Sequence, residues 1–279
     1  MGSTIFIVWR ESIEAMLVIG ILYTWLKTQT RSGSVDAVMG LRYLWGGVLG
    51  GIGLALALAF IMLKVQSELA AEALDYFQIA IVLIASALIT QMVIWMRCNG
   101  RTLKAELENG LQQARENTNW WGMATLAAIA VGREGAETVI FVYGNGLAQN
   151  TALIPFSLAV IGGFVLAFIT FRALQKGTRW FSWQLFFRIS EVLLLLLAAA
   201  LLVDGIERMI GLDWIPAIID PVWDSSFILD DSSTIGSLVS AFTGYRSYPA
   251  LSMLLAYGLY WLAVFWLLKR ASVRPLASA

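Results

Sequence analysis

Two short stretches of this chain place full charges among apolar residues: "RESIE" at 10–14, inside "IFIVWRESIEAMLVIGILYTWL", and "REGAE" at 133–137. In each, an arginine precedes two glutamates spaced i and i+3, which share nearly one face of a helix. Glu11 and Glu14 therefore point one way, and so do Glu134 and Glu137. Brought together at low dielectric, four carboxylates cannot all stay ionised without compensation. Arg10 and Arg133 offset two of the charges and leave about −2, a balance that a bound multivalent cation would complete. Carboxylate oxygens are hard donors, suited to Mg, Ca, Mn or iron and unsuited to copper(I). The competing reading makes each arginine a structural partner of its own glutamates. The duplication favours a transported cation, since ionisable groups inside a membrane mark function by default.

Composition identifies the elements that must position these groups. Of 279 residues, 59% are hydrophobic and 14% charged, where soluble domains carry about 25% charged residues; mean hydropathy is +0.74. This is the composition of a membrane protein. The 19 basic and 19 acidic residues cancel, so bulk charge points to no nucleic-acid partner. A single cysteine, Cys98, excludes an internal disulfide framework, and the absence of histidine excludes His-ligated haem, His-built zinc sites and His acid–base chemistry. No Gly-rich phosphate loop or serine-hydrolase constellation stands out, and no catalytic residue is assigned. "GGVLGGIG" (46–53) and Gly162–Gly163 read as sites of close helix packing. The first apolar run lacks a basic flank before it and a small-residue cleavage site after it, so it is expected to be a retained helix.

A membrane span needs roughly 20 mainly apolar residues. Seven segments qualify, at 4–26, 43–63, 76–96, 120–143, 153–171, 186–206 and 250–268. The expected fold is an all-α integral membrane protein with one permease domain over 1–279. Residues 207–249 are expected to form an ordered extracytoplasmic loop with short helices. With the N-terminus outside, the cytoplasmic side collects Lys27, Arg31, Arg42, Arg97, Arg101, Lys104, Arg115, Arg172, Lys176, Arg179, Arg188, Lys269, Arg270 and Arg274. Only Lys64, Arg208 and Arg246 fall outside, which fixes N-out, C-in. The outer side gathers acids, among them Glu68, Glu72 and Asp75. Helices 1–3 (4–96) and 4–6 (120–206) each contain an odd number of spans, so they form a 3+3 inverted repeat with helix 7 added. Transporters built this way hold substrate between the halves. Both motifs then reach similar depth, in the outer half of the membrane or near its middle.

R-E-x-x-E in the first and fourth of seven helices resembles the high-affinity iron permeases, the oxidase-dependent iron transporters of fungi and bacteria. In length and architecture the chain is most similar to the bacterial Efe-system ferrous-iron branch. The likeness extends to "WMR" (Trp95 to Arg97), "LLAAALL" in helix 6 and "FTGY" (Phe242 to Tyr245). The resemblance implies that Glu11, Glu14, Glu134 and Glu137 bind iron in transit, with Arg10 and Arg133 as supporting counter-charges. It implies iron as cargo with no cofactor, a multi-pass protein of the cytoplasmic (inner) membrane, and an extracytoplasmic oxidase or periplasmic iron-delivery protein as partner. Gln78 departs from relatives that carry a glutamate there.

Lesser candidates each carry two readings. Glu191 is an inner exit ligand or a partner of Arg188. Asp204 and Glu207 are an outer relay or solvated surface acids. Asp230 and Asp231 collect cations or cap a loop helix. Three alternatives remain for the whole chain: a permease for another cation such as manganese or lead, a purely structural or signalling seven-helix protein, and a membrane carboxylate di-iron oxidase. The latter class typically uses Glu-x-x-His, and histidine is absent here.

Overall fold

Helix interiors in this protein contain no proline after the first turn. Of five prolines, Pro155 sits at the start of a helix, Pro216, Pro221 and Pro249 lie in one connection, and Pro275 is near the C-terminus. Uninterrupted apolar runs can therefore continue as helices. A computed structural model describes residues 2–30, 36–99, 120–148, 153–175 and 183–273, and among them every regular element is helical. In chain order these are α1 (Gly2–Thr30), α2 (Asp36–Glu68), α3 (Ala71–Asn99), α4 (Trp120–Ala148), α5 (Leu153–Gln175), α6 (Trp183–Gly211), α7 (Thr234–Thr243) and α8 (Leu251–Val273). Arg31, Arg101, Lys104, Arg115, Lys176, Arg179 and Arg274 lie outside the described residues.

Among the described residues, five helices contain segments long and apolar enough to cross a membrane: Met39–Glu68, Ala71–Cys98, Ile154–Ala173, Arg188–Gly211 and Leu251–Arg270. The remaining long helices, α1 and α4, are the two that carry the charged motifs. Leu49, Leu54 and Phe60 of α2, Phe164 and Phe168 of α5, and Leu262 and Phe265 of α8 are exposed. Helices apolar on their outward faces suit a lipid environment, and the chain is a multi-pass membrane protein.

The helices associate mainly as α2 with α4, α1 with α5, α3 with α6 and α1 with α4. Glycine sets the closest of these approaches. A Cβ at Gly47 would stand 2.3 Å from the Ala124 carbonyl oxygen, and one at Gly51 would stand 2.7 Å from the Gly132 nitrogen. Gly46 and Gly53 face open space, so only part of "GGVLGGIG" is packing surface. On the other side Gly163 of α5 admits Val8 and the Ile5 carbonyl of α1. The main core joins Ile7 of α1, Ile89 of α3, Phe141 of α4, Leu194, Leu197 and Leu201 of α6, and Val264 of α8.

The connection from α6 to α8 is ordered and holds one short helix. Ser233 caps α7, its Oγ accepting from the Gly236 N–H at 3.0 Å. Gly244 ends α7 at φ 73°, where its backbone passes close to Ala200 of α6, so both conformation and space call for glycine. Backbone bonds from Val222 to Pro249, Ser225 to Ser247 and Leu251 to Ile219 tie the segments of the connection together. Phe242 then packs edge-on against Phe6, placing α7 over the start of α1.

Candidate metal centre

α1 and α4 are adjacent, and their motifs meet. Arg10 is buried at 3% exposure and Glu11 is fully buried. The Arg10 guanidinium donates from Nη1 to Glu11 Oε1 at 2.7 Å. Its Nη2 stands 2.5 Å from Glu14 Oε1, an ion-pair contact without hydrogen-bond alignment. On α4, Arg133 Nε donates to Glu137 Oε1 at 2.9 Å. Glu134 forms no ion pair among the described residues.

Glu11, Glu134 and Glu137 each present one carboxylate oxygen, and these oxygens lie within 4.8 Å of one another. Oε2 of each of these three residues is buried with no hydrogen-bond partner. Buried acceptors left unpaired are costly, and three carboxylates that each carry one and approach one another this closely form a ready set of hard oxygen ligands. Glu14, the fourth expected ligand, is not one of these three; it contacts Arg10, and its Oε1 is also buried without a hydrogen-bond partner. The two motifs also differ in setting, since the Arg133 side chain is 42% exposed.

α3 supplies contacts that sequence reasoning missed. Met92 and Met96 place their sulfurs 3.2 and 3.3 Å from Arg10 Nη1 and Nη2. The Trp95 ring lies under Arg133, whose Cζ is 4.5 Å from its centroid. Only the spacing of 92, 95 and 96 on one helical face hinted at a shared target. Two turns away along α1 and α4, buried Asn145 donates from Nδ2 to Thr4 Oγ1 at 2.8 Å.

The lesser candidates have other partners. Glu191 pairs with Arg97 of α3 at 3.1 Å, not with Arg188 on its own helix. Asp204 is buried, contrary to its reading as a solvated acid. It accepts from Arg208 Nε at 2.9 Å and stands 3.7 Å from Arg246 Nη2. Glu207 accepts from Arg246 Nε at 2.8 Å, and Gln78 accepts from Arg208 Nη1 at 2.9 Å. Asp230 accepts the Ser232 N–H at 2.9 Å, and this bond holds its carboxyl below the usual range. Asp231 and Ser247 join through reciprocal backbone–side-chain contacts at 3.3 and 3.4 Å.

The sequence model of the iron permease FTR1 family matches residues 1–273. The chain belongs to the iron permease FTR1 family. Among curated relatives, the ferrous iron permease EfeU of Escherichia coli O6:H1 is 27% identical over 256 residues, covering 91% of this chain and 90% of the relative. The ferrous iron permease EfeU of Yersinia pestis is 27% identical over 256 residues, covering 91% and 88%. An EfeU relative from Escherichia coli K12, whose name carries the word inactive, is 28% identical over 253 residues, covering 90% and 89%. No solved structure matches the chain. The motif-bearing helices α1 and α4 both fall inside the FTR1 match.

Proposed function

We propose that this FTR1-family protein imports iron across the cytoplasmic membrane through a site built from Glu11, Glu14, Glu134 and Glu137. The observation that carries the reading is the approach of one carboxylate oxygen each from Glu11, Glu134 and Glu137 to within 4.8 Å, in residues whose Oε2 atoms are buried without partners. Arg10 and Arg133 lower the resting repulsion of the cluster, and a divalent ion neutralises the remainder. Glu14, paired with Arg10, becomes available when the ion draws the arginine's partners away.

The same reading takes α1–α6 and α8 as seven spans, N-terminus outside, with α1–α3 and α4–α6 as inverted repeats. The helix pairing supports this arrangement. Exchanging α1 with α4 and α2 with α5 converts the α2–α4 contact into the α1–α5 contact, and returns α1–α4 and α3–α6 to themselves. The symmetry is approximate, because α3 also packs on α4 with no comparable contact between α6 and α1. Transport then exposes a site held between the halves to each side in turn. An extracytoplasmic oxidase or iron-delivery protein would present the metal to the outer face.

Radio-iron uptake into proteoliposomes under reducing and under oxidising conditions tests the proposal. Wild-type protein accumulates iron and Glu134→Ala does not. Uptake by Glu134→Ala at the wild-type rate would remove the site assignment. Preference for the reducing or the oxidising arm identifies the oxidation state carried.

A further inference from the structure

We infer that the α3 face formed by Met92, Trp95 and Met96 is a cradle that fixes where the two motif arginines stand. It thereby sets how much of each glutamate is left for the cargo, an inference that rests on the four-glutamate reading above. Residues 92, 95 and 96 are spaced i, i+3 and i+4, so α3 turns them to one side. From that side it reaches both repeats at once: the two sulfurs take Arg10 of α1, and the indole takes Arg133 of α4.

None of these partners is a carboxylate or a carbonyl. A thioether is a weak acceptor, an indole has no acceptor, and neither carries charge. The indole face nevertheless attracts a guanidinium through its quadrupole. Such groups hold a cation without adding to the negative charge of the site. A carboxylate at these positions would neutralise the arginine and compete for metal. A plain aliphatic chain would leave buried Arg10 N–H groups without acceptors.

The consequence is visible in the second motif. Arg133 lies on Trp95 and, among the described residues, pairs with Glu137 alone, through Nε. Glu134 is left without an ion pair among the described residues, its Oε2 buried and unpartnered. Remove the indole, and Arg133 is free to swing onto Glu134 and cover the least encumbered carboxylate of the cluster. Trp95 is therefore a positioning residue, acting on the metal through Arg133.

Anaerobic calorimetric titration of ferrous iron into the purified, detergent-solubilised full chain tests this without requiring turnover. Trp95→Leu is expected to weaken iron binding about 3- to 10-fold, the range of a cation–π contact. Trp95→Phe, which keeps a weaker π face, falls between Leu and wild type. In an Arg133→Gln background, Trp95→Leu changes affinity less than about twofold, because no arginine remains to be misplaced. Equal losses for Phe and Leu, or a Trp95→Leu effect that persists in full without Arg133, overturn the cradle. Unchanged iron binding by Glu134→Gln would instead overturn the underlying site, so the two failures are distinguishable. Thermal unfolding of the metal-free variants, matched to wild type, separates lost affinity from lost fold, and Trp95→Phe keeps the comparison available where Trp95→Leu unfolds.

Discussion

Asn145 of α4 donates to Thr4 of α1 at 2.8 Å, and both residues are buried. Thr4 precedes Glu11 by two helical turns, and Asn145 follows Glu137 by slightly more, so the bond bridges the two motif helices beyond the carboxylate cluster. An interhelical hydrogen bond in a membrane contributes about 0.6 kcal/mol on average and about 1.7 at most. Thr4→Val and Asn145→Ala should each lower stability by about that much in a denaturant titration. The double variant should cost clearly less than the sum of the single ones. Full additivity would show that the two side chains do not act on each other.

The two halves of the site predict unequal consequences for their arginines. Arg10 is buried between Glu11 and Glu14, and its removal leaves an uncompensated buried pair, a loss of about 3–5 kcal/mol. Arg133 is 42% exposed, where an ion pair contributes about 0–1 kcal/mol. Arg10→Gln should therefore reduce the yield of folded protein in detergent-resistant size-exclusion profiles, and Arg133→Gln should leave it near wild type. Equal yields would mean that the burial of the first motif is not maintained in the membrane.

Glycines in α2 separate into packing and lipid-facing positions. At Gly51 an added methyl group would meet the Gly132 backbone at 2.7 Å, whereas at Gly53 it meets nothing within 4 Å. Overpacking costs about 1–3 kcal/mol. Gly51→Ala should lower the melting temperature of the purified protein, while Gly53→Ala should leave it unchanged or raise it. The reverse order would exclude the α2–α4 interface described here.

The contrast between those glycines illustrates what sequence could and could not disclose. "GGVLGGIG" announced close packing, but which glycines face α4 depends on how α2 is rotated, and that is decided by the partner helix. Helix existence was legible because each apolar run is long and has no proline beyond its first turn. Helix ends were not: α2 runs from Asp36 to Glu68 rather than 43–63, since polar terminal turns leave no trace in hydropathy. The two motifs that the structure brings together were legible from their duplication and the i, i+3 spacing of their glutamates. Which glutamate of its motif Arg10 engages was not, because it can reach either, and in the structure it contacts both. Partners from other elements were equally hidden. Arg97 of α3 reaches Glu191 of α6, and Arg246 returns to Asp204 across the whole connection that follows α6.

That loop closure gives the last prediction. Asp204 was a candidate relay for incoming cations, yet it faces Arg208 and Arg246, while Glu207 is held by Arg246 and Arg208 also binds Gln78. Two acids and two arginines balance, so the group attracts little net cation. It joins α3, α6 and the segment that returns from α7, and Arg246 also bonds Ser240 of α7. Asp204→Asn should loosen this joint by about 1–3 kcal/mol, the cost of disrupting buried, charge-assisted hydrogen bonds. Hydrogen exchange should quicken in 234–250 while the KM for iron uptake stays within about twofold of wild type, a free-energy change well under 1 kcal/mol. A relay predicts the opposite pattern, with KM rising several-fold and exchange in 234–250 unchanged.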